Sequence, residues 1–189
     1  LLKPWIKNSD IRKHGIKAAD KFLIYSDFIK DEKDFPNAIS YISRYRDKLL
    51  NRRECRKGLR KWYQLQWGRV NEVFDTPKIV YPFKSSSSRF AVDKSGNYCS
   101  ADVYSLKLKK EYEGRITLEY IAAVLNSRLL EFYFKCYAKK ISKHLYDYYP
   151  NTVLRMKIPV PGEGSTIIEM VHLLENCKNE NSIKTVTYE

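Results

Sequence analysis

Glycine is scarce in this sequence, and the copies that occur do not form a phosphate-binding loop. Only seven glycines are present in 189 residues, and none has the GxGxxG spacing. The three histidines, His14, His144 and His172, stand far apart. The sequence therefore indicates neither a glycine-rich nucleotide site nor a histidine-based catalytic cluster.

Cysteine is equally sparse and is not arranged for metal binding. Cys55, Cys99, Cys136 and Cys177 are spread along the chain without a CxxC pair. A structural zinc site needs closely spaced ligands, so we expect no metal here. Scattered cysteines of this kind are typical of reduced thiols, and we expect a cytoplasmic protein.

Long apolar runs are missing as well. No stretch approaches the ~18 apolar residues that a membrane-spanning helix requires. Hydrophobic residues nevertheless make up 43% of the chain, which is enough to bury a core in one domain or two small lobes. The opening Leu1-Leu2-Lys3-Pro4 is typical neither of a signal peptide nor of a translation start, so we expect a piece of a longer protein.

One acidic group loosely imitates the carboxylate and lysine arrangement of metal-dependent nucleases. It consists of Asp31-Glu32-Lys33 together with Asp20 or Asp27. Such a site needs carboxylates held on rigid strands, whereas these residues lie in a charge run before Pro36. We therefore interpret them as a solvated loop and expect no catalytic residues in this chain.

Positive charge is abundant and concentrated. The formal net charge is +13, and two windows account for all of it. Residues 44–69 hold ten Lys and Arg against two acids, and residues 135–157 hold six against one. Both windows are interleaved with aromatic residues, a pattern that favours binding of a polyanion over an evenly solvated surface. Nucleic acid is the first expectation, and an acidic membrane or a protein partner is the alternative.

The stretch 117–161 organises the rest of the chain. Steps of three and four residues predict a single core helix of five turns, capped by Thr117. The apolar positions of its main face are Leu118, Ile121, Leu125, Leu129, Phe132 and Cys136. A second apolar stripe comprises Tyr120, Val124, Phe134 and Tyr137. We therefore expect this helix to be covered on more than one side.

The first half of the chain predicts one strand and one helix. Phe22–Tyr25 has the length and residue types of a strand, and Pro36 suits the start of a helix. The buried face of that helix is predicted to consist of Ala38, Ile42, Tyr45 and Leu49. Trp62 and Trp67 follow, and we expect both to be buried in the core.

The middle of the chain predicts a small sheet. Lys78–Tyr81 reads as a strand that Pro82 ends or bends at a sheet edge. Phe90 and Val92 lead into a turn at residues 93–97, and residues 98–108 supply the return strand of an antiparallel hairpin. The serine run 85–88 is predicted to be a loop.

The end of the chain predicts one more helix. Thr166 and Glu169 match a capping box, and Ile167, Val171 and Leu174 mark one face of a helix ending near Cys177. The fold class is thus α+β, with small antiparallel sheet elements packed on several helices. Residues 1–161 form the predicted domain, and residues 162–189 form a C-terminal helix and a polar tail.

Three groups of residues in this order resemble a known family. They are Lys3–Ile11, Pro77–Val80, and Leu125-Asn126-Ser127-Arg128-Leu129 running on to Ile158-Pro159-Val160-Pro161. Together they resemble the TaqI-like C-terminal specificity domain, the target-recognition domain of adenine-specific DNA methyltransferases and of fused restriction and modification enzymes. The resemblance covers most of residues 1–161.

The resemblance implies that double-stranded DNA is the partner and that catalysis lies elsewhere. In this family an N-terminal methyltransferase domain binds S-adenosylmethionine and holds a flipped adenine with an Asn-Pro-Pro-Tyr or similar motif. This sequence has no such motif, so no cofactor is expected in this chain. The domain would read base edges opposite the catalytic domain. Whether the parent also carries a nuclease stays open.

The candidate DNA contacts come from cations and polar residues near the aromatic runs. Arginine offers a planar fork of donors that fits phosphate or the O6 and N7 edge of guanine. Asn126 is expected to bond backbone and orient a loop rather than to touch DNA. The alternative is a non-enzymatic RNA-binding or protein-docking domain whose tyrosines stack on unpaired bases or pack on a partner. The predicted DNA-binding residues are Arg52, Arg53, Arg56, Lys57, Arg60, Ser87, Arg89, Lys139, Lys140, Lys143, His144 and Tyr146.

Overall fold

The computed structural model describes residues 1–69 and 72–160 and has an α+β architecture, as the sequence predicts. The predicted C-terminal helix and tail lie outside the described residues. The helices are α1 (Pro36–Ser43), α2 (Arg46–Leu50), α3 (Arg53–Arg56), α4 (Glu72–Asp75), α5 (Leu118–Leu125), α6 (Arg128–Tyr137) and α7 (Pro150–Val153). The strands are β1 (Leu2–Ile6), β2 (Ile11–Arg12), β3 (Gly15–Ile16), β4 (Lys21–Ile24), β5 (Lys78–Pro82), β6 (Lys84–Ser85), β7 (Ala91–Asp93), β8 (Tyr98–Cys99), β9 (Val103–Leu106), β10 (Lys140–Ser142) and β11 (Leu145–Asp147).

Four small sheets connect these strands within the described ranges. Their orders are β4-β1-β8, β10-β11-β6, β2-β3 and β7-β5-β9. All pairings are antiparallel except that of β1 with β8, which is parallel. None of the helices in residues 1–69 and 72–160 has the length and apolar character needed to cross a membrane.

The strand β5 is central, which corrects the prediction of an edge strand ended by Pro82. Its side chains alternate between two apolar clusters, because successive residues of a strand point to opposite faces. Ile79 and Tyr81 pack with residues of α5 and α6 in the largest cluster, and Val80 packs with Ile6 and Ile11 in a second cluster. Pro82 pairs with Val103 at the end of the ladder, where a missing donor is tolerated.

The predicted hairpin of residues 90–108 is wrong in its pairing. The strands β7 and β9 do not pair with each other but lie on either side of β5. The predicted turn at residues 93–97 is confirmed, because Asp93 accepts hydrogen bonds from the backbone N–H groups of Ser95 and Asn97. Gly96 has φ +69°, a value that suits glycine in such a turn.

The predicted five-turn helix is in fact two helices, α5 and α6. Asn126 ends α5, and the Ser127 hydroxyl caps α6 by accepting a hydrogen bond from Leu130 N. The Asn126 amide donates to Phe90 O and accepts from Phe90 N, which confirms that it bonds backbone and orients a neighbouring loop. Because of this break, α6 does not continue the direction of α5. Leu129 and Phe132 are 74% and 70% exposed, against prediction, and Cys136 is also exposed.

The first half of the chain forms a separate apolar cluster built on Ile29, Trp62 and Tyr63. The strand predicted at residues 22–25 is confirmed as β4, and a helix does begin at Pro36. That helix breaks between Ser43 and Arg46, and Tyr45 is exposed rather than buried. Trp62 is buried as predicted, whereas the prediction for Trp67 is wrong, since it is 71% exposed.

Candidate nucleic-acid interface

The first cationic region, residues 44–69, is called here the arginine segment. The Arg52 guanidinium is turned inward and closes a loop. Its Nη2 donates to Trp62 O and Gln64 O, both at 2.8 Å, and its Nε donates to Leu49 O at 3.1 Å. Charge-assisted bonds to carbonyl oxygens are among the stronger hydrogen bonds in proteins. The sequence predicted Arg52 as a DNA contact, but its guanidinium already links α2 to the loop after α3.

Asp27 holds the next stretch of the arginine segment. Its Oδ2 lies 3.1 Å from Arg60 Nη1, and its Oδ1 accepts from Leu65 N at 2.8 Å. A Cβ atom at Gly68 would lie 1.9 Å from Asp27 Oδ2, so a larger residue there would displace this carboxylate. Arg60 and Asp27 are thus parts of the loop structure, since both oxygens of the Asp27 carboxylate bond to this loop.

Three predicted cations of the arginine segment do face solvent. Arg53, Arg56 and Lys57 lie on or just after α3 and are exposed. Arg53 contacts Glu54 with an Nε to Oε1 distance of 3.4 Å, while its side chain remains 72% exposed. Gly58, with φ +70°, follows these residues and ends the helical turn. These three side chains are available to a partner.

The second cationic region is the lysine hairpin, defined as residues 139–147. Its strands β10 and β11 pair as an antiparallel ribbon. Strand β11 also pairs with β6, with Tyr146 opposite Ser85. The predicted contacts Lys139, Lys140, Lys143 and His144 are all exposed along this ribbon. Tyr146 is half-buried, and Lys135 Nζ lies 5.5 Å from the centroid of its ring.

The base of the lysine hairpin is anchored in the core by Tyr148. Its ring stacks on Phe134 with a centroid distance of 4.3 Å, and its backbone N–H donates to Phe83 O at 2.8 Å. Burial raises the pKa of Tyr148 to about 12, so the ring is neutral at any physiological pH. The hairpin therefore projects from a supported base, which a binding element requires.

Arg89 and Ser87 lie beside the hairpin, and their hydrogen bonds connect neighbouring segments of the protein. Arg89 donates to Ser85 Oγ at 3.1 Å, to Ile11 O at 3.0 Å and to Asn8 Oδ1 at 2.9 Å. Burial lowers the pKa of its guanidinium, whose donors are directed at protein oxygens. Ser87 is half-buried, and its carbonyl accepts from Ser85 Oγ. The predicted serine loop is in part the strand β6.

Two exposed cations near the hairpin were missed at the sequence level. Lys84 lies on β6, next to β11, and Arg12 lies on β2, whose Ile11 carbonyl is bonded by Arg89. Lys84 has non-basic neighbours in the sequence, and Arg12 adjoins Lys13 but lies outside both cationic windows, so the charge windows indicated neither residue. Strand pairing of β6 with β11 places Lys84 next to the lysine hairpin, and Arg89 links the Ile11 carbonyl, beside Arg12, to Ser85 of β6.

The described contacts do not merge the two cationic regions into one surface. The arginine segment packs on the cluster of Ile29, Trp62 and Tyr63, whereas the lysine hairpin packs on the cluster of Phe90, Phe134 and Tyr148. Of the twelve predicted site residues, Ser87, Arg89, Lys139, Lys140, Lys143, His144 and Tyr146 are brought together by the sheet β10-β11-β6. Arg52, Arg53, Arg56, Lys57 and Arg60 lie apart from them in the first half of the chain.

Comparison with known proteins identifies the family. The model of the TaqI-like C-terminal specificity domain matches residues 3–160. The chain belongs to this family. A type II methyltransferase, M.BstVI of Geobacillus stearothermophilus, is 21% identical over 166 residues. The aligned part is 85% of this chain and 28% of the relative, so the chain spans little more than a quarter of that methyltransferase.

The sequence signatures of this specificity domain map to strands of the framework and to the junction between two helices. Lys3–Ile11 covers β1 and the start of β2, Lys78–Val80 lies in β5, and Asn126 and Ser127 form the break between α5 and α6. Pro159 O accepts a hydrogen bond from Tyr120 OH at 2.9 Å. The signatures therefore support the framework, while the exposed cations lie on the elements that this framework holds.

Proposed function

We propose that this specificity domain recognises a sequence in double-stranded DNA on behalf of a restriction-modification enzyme. The catalytic part would be an N6-adenine methyltransferase domain that binds S-adenosylmethionine and contacts this domain. Membership of the specificity-domain family, combined with a cationic ribbon on a rigid base, is the observation that carries the proposal. A nuclease domain in the same parent protein is compatible with the proposal and is not required by it.

The lysine hairpin is the proposed reading element. A two-stranded ribbon fits the major groove of B-DNA, where each base pair presents a distinct pattern of donors and acceptors. Lys139, Lys140 and Lys143 can neutralise phosphates, and His144 near the tip can donate to a base edge. Lys84 extends the cationic surface on the neighbouring strand β6, and Arg12 extends it on β2, which Arg89 connects to β6.

The cations of the arginine segment are proposed to have two different roles, DNA contact and positioning of the loops. Arg53, Arg56 and Lys57 are the proposed DNA contacts on α3, because they face solvent. Arg52 and Arg60 are proposed to hold the loop that follows α3, and Arg89 to hold the base of the lysine hairpin, since their donors already meet protein oxygens. Three side chains predicted as contacts are thereby reassigned to positioning.

The cellular setting proposed for this function is the cytoplasm. Cys55, Cys99 and Cys136 are free thiols, which is compatible with a reducing compartment. Burial raises the pKa of the Cys99 thiol to about 12, so this cysteine is a packing residue and not a reactive group.

The first experiment is a selection from a random duplex library with the whole chain, followed by salt titration on the selected duplex. We expect an enriched motif and an affinity that falls steeply with salt. The double variant K140A/K143A should lose at least about tenfold in affinity and reduce the salt slope by about 2, since each lysine releases one counterion. A second double variant, K109A/K110A, is the matched control, because it removes the same charge from an exposed turn elsewhere.

The outcomes separate the hypotheses. Equal losses in both double variants would mean a general effect of net charge and would contradict the assignment to the hairpin. Competition by single-stranded RNA better than by the selected duplex would favour the RNA-binding alternative, for which the 47% exposed Tyr149 offers a stacking surface. No duplex binding near 50 mM salt would overturn the proposal.

A further inference from the structure

A second cationic hairpin lies beside the lysine hairpin. The N-terminal hairpin, defined as residues 11–16, consists of the antiparallel strands β2 and β3, with Arg12 opposite Gly15. Lys13 and His14 form its turn, and His14 has φ +63°, a left-handed conformation that is uncommon outside glycine and is found mainly in turns. Arg12, Lys13 and His14 are all exposed. The turn therefore presents basic side chains to solvent, although it lies outside both cationic windows of the sequence.

Three contacts hold the N-terminal hairpin in place. Ile11 is fully buried, and its carbonyl accepts a hydrogen bond from Arg89 Nη1 at 3.0 Å. At the turn, His14 Nδ1 lies 3.3 Å from Asn126 Nδ2. The Asn126 amide nitrogen also donates to Phe90 O, so it is the donor to His14 as well. The hairpin is thus supported at its base and at its turn, as a binding element requires.

Arg89 connects the bases of the two hairpins. The same guanidinium that bonds Ile11 O donates from Nε to Ser85 Oγ at 3.1 Å. Ser85 lies on β6 and is paired with Tyr146 of the lysine hairpin. One side chain therefore bonds the base of the N-terminal hairpin and the strand on which the lysine hairpin rests.

Glu131 on α6 forms a second connection, nearer the solvent. Its Oε2 lies 3.7 Å from Lys13 Nζ in the turn of the N-terminal hairpin, and its Oε1 lies 2.5 Å from Lys135 Nζ. Lys135 Nζ lies 5.5 Å from the ring centroid of Tyr146, on the lysine hairpin. Because two ammonium groups share one carboxylate, the turn of one hairpin and a strand of the other flank the same part of α6.

The surface that the two hairpins share is cationic. Its exposed Lys and Arg side chains are Arg12, Lys13, Lys84, Lys139, Lys140 and Lys143. The Glu131 side chain between the hairpins is only 17% exposed. Its ion pair with Lys13 is long and the Lys13 side chain is 42% exposed, so this pair contributes little and a phosphate can replace it. Such a surface matches a polyanion.

We propose that the N-terminal hairpin is a second DNA-contacting element, and that it grips the same duplex as the lysine hairpin. Arg12 and Lys13 contact phosphates, and Lys13 exchanges the Glu131 carboxylate for a phosphate when DNA binds. Since phosphate contacts fix the register of a protein on a duplex, the N-terminal hairpin sets the position at which the lysine hairpin meets the bases. This inference rests on the proposed function.

The first test is an acetylation footprint of the whole chain. Lysine side chains are acetylated with N-hydroxysuccinimide acetate, with and without a random-sequence duplex, and each position is read by mass spectrometry. A random-sequence duplex is sufficient, because phosphate contacts do not depend on sequence. We expect Lys13 to lose reactivity in the complex together with Lys140 and Lys143, whereas Lys109 and Lys110 keep theirs.

The double variant R12A/K13A is the second test, with K109A/K110A as the matched control of equal charge. We expect R12A/K13A to lose about tenfold in affinity for the same duplex and to reduce the salt slope by about 2, since each phosphate contact releases roughly one counterion. The footprint needs no substitution, so it decides the question independently of any effect of the variant on folding.

The outcomes separate this inference from the proposed function. Either an unprotected Lys13 or an R12A/K13A variant that binds as tightly as K109A/K110A would overturn the inference. Protection of Lys140 and Lys143 in the same experiment would leave the proposed function intact. A chain in which the duplex protects none of these lysines would overturn both.

Discussion

In the arginine segment the guanidinium groups of Arg52 and Arg60 turn toward protein oxygens, whereas in the lysine hairpin the cations face solvent. Both regions carry an excess of basic over acidic residues. The difference follows from side-chain chemistry, because arginine carries five donors that can satisfy several carbonyls at once, while lysine is a strongly hydrated point charge. A cationic run in a sequence can therefore stabilise loops from inside or form a binding surface. The hydrogen-bond partners of its side chains distinguish the two cases.

The most buried cation of the described residues gives the largest expected effect. Lys78 Nζ lies 2.6 Å from Asp93 Oδ2, and the two side chains are 0% and 1% exposed. Lys78 also donates to Phe74 O at 2.7 Å. Asp93→Asn would leave a buried ammonium without its counter-charge, and we expect a loss of about 3 to 5 kcal/mol in the free energy of unfolding.

Urea denaturation measures this change. Lys109→Met is the comparison variant, since the Lys109 and Glu111 side chains are 78% and 62% exposed and surface pairs contribute less than about 1 kcal/mol. Similar losses in the free energy of unfolding of the two variants would contradict the prediction that the buried ion pair stabilises this protein more than the exposed one.

The second prediction contrasts two arginines of the same segment. Arg52→Ala removes a charged donor from three backbone carbonyls, and we expect it to lower the free energy of unfolding by about 2 kcal/mol. Arg56→Ala removes an exposed side chain and should change stability by less than about 0.5 kcal/mol.

Duplex binding should reverse this order at a temperature where both variants are folded. Arg56→Ala is expected to weaken binding by removing a contact, and Arg52→Ala to weaken it less, because its effect on binding is only through the loop that it holds. An Arg52→Ala protein with unchanged stability but weakened binding would return Arg52 to the list of DNA contacts.

The smallest expected effect concerns acid stability at Glu131. Burial alone would raise the pKa of this carboxyl, but Lys135, the Ser88 N–H and Lys13 outweigh burial and hold the pKa below its ordinary value of 4.5. Because the pKa is lower in the folded state than in the unfolded state, the stabilisation is present above pH 4.5 and is lost as pH falls below it.

Glu131→Gln should therefore flatten the fall in stability below pH 4.5, as measured by urea denaturation at a series of pH values. Glu111→Gln, at an exposed site, serves as the control and should keep the wild-type slope. A steeper fall in Glu131→Gln than in the wild-type protein would contradict the sign of the pKa shift.

Local patterns in the sequence predicted local structure well. The strand β4, the start of α1 at Pro36 and the turn closed by Asp93 all depend on neighbouring residues, and all three are found. The sequence did not indicate the helix break at Asn126, because the apolar spacing continues across it. Only the hydrogen bonds from Asn126 to Phe90, 36 residues away, make the interruption favourable.

Sheet order and side-chain direction could not be predicted in the same way. Strand β5 lies between β7 and β9, although the sequence predicts β5 at a sheet edge and β7 and β9 as a local hairpin, since register depends on contacts distant in sequence. Charge counts located both cationic regions but could not show which guanidinium groups point inward. Lys84 joins the hairpin surface through the pairing of β6 with β11, and Arg12 through the hydrogen bonds of Arg89 to Ile11 O and Ser85 Oγ.

The parallel pairing of β1 with β8 has a consequence for how the protein folds. Trp5 pairs with Tyr98 and Ile6 with Cys99, so the first strand is completed by residues more than ninety positions later. Contacts of such high sequence separation slow folding, because a long loop must close before they form. A ribosome must therefore synthesise about half of the chain before the N-terminal strand acquires its second neighbour. The arginine segment and the central sheet should consequently appear together, in one cooperative transition.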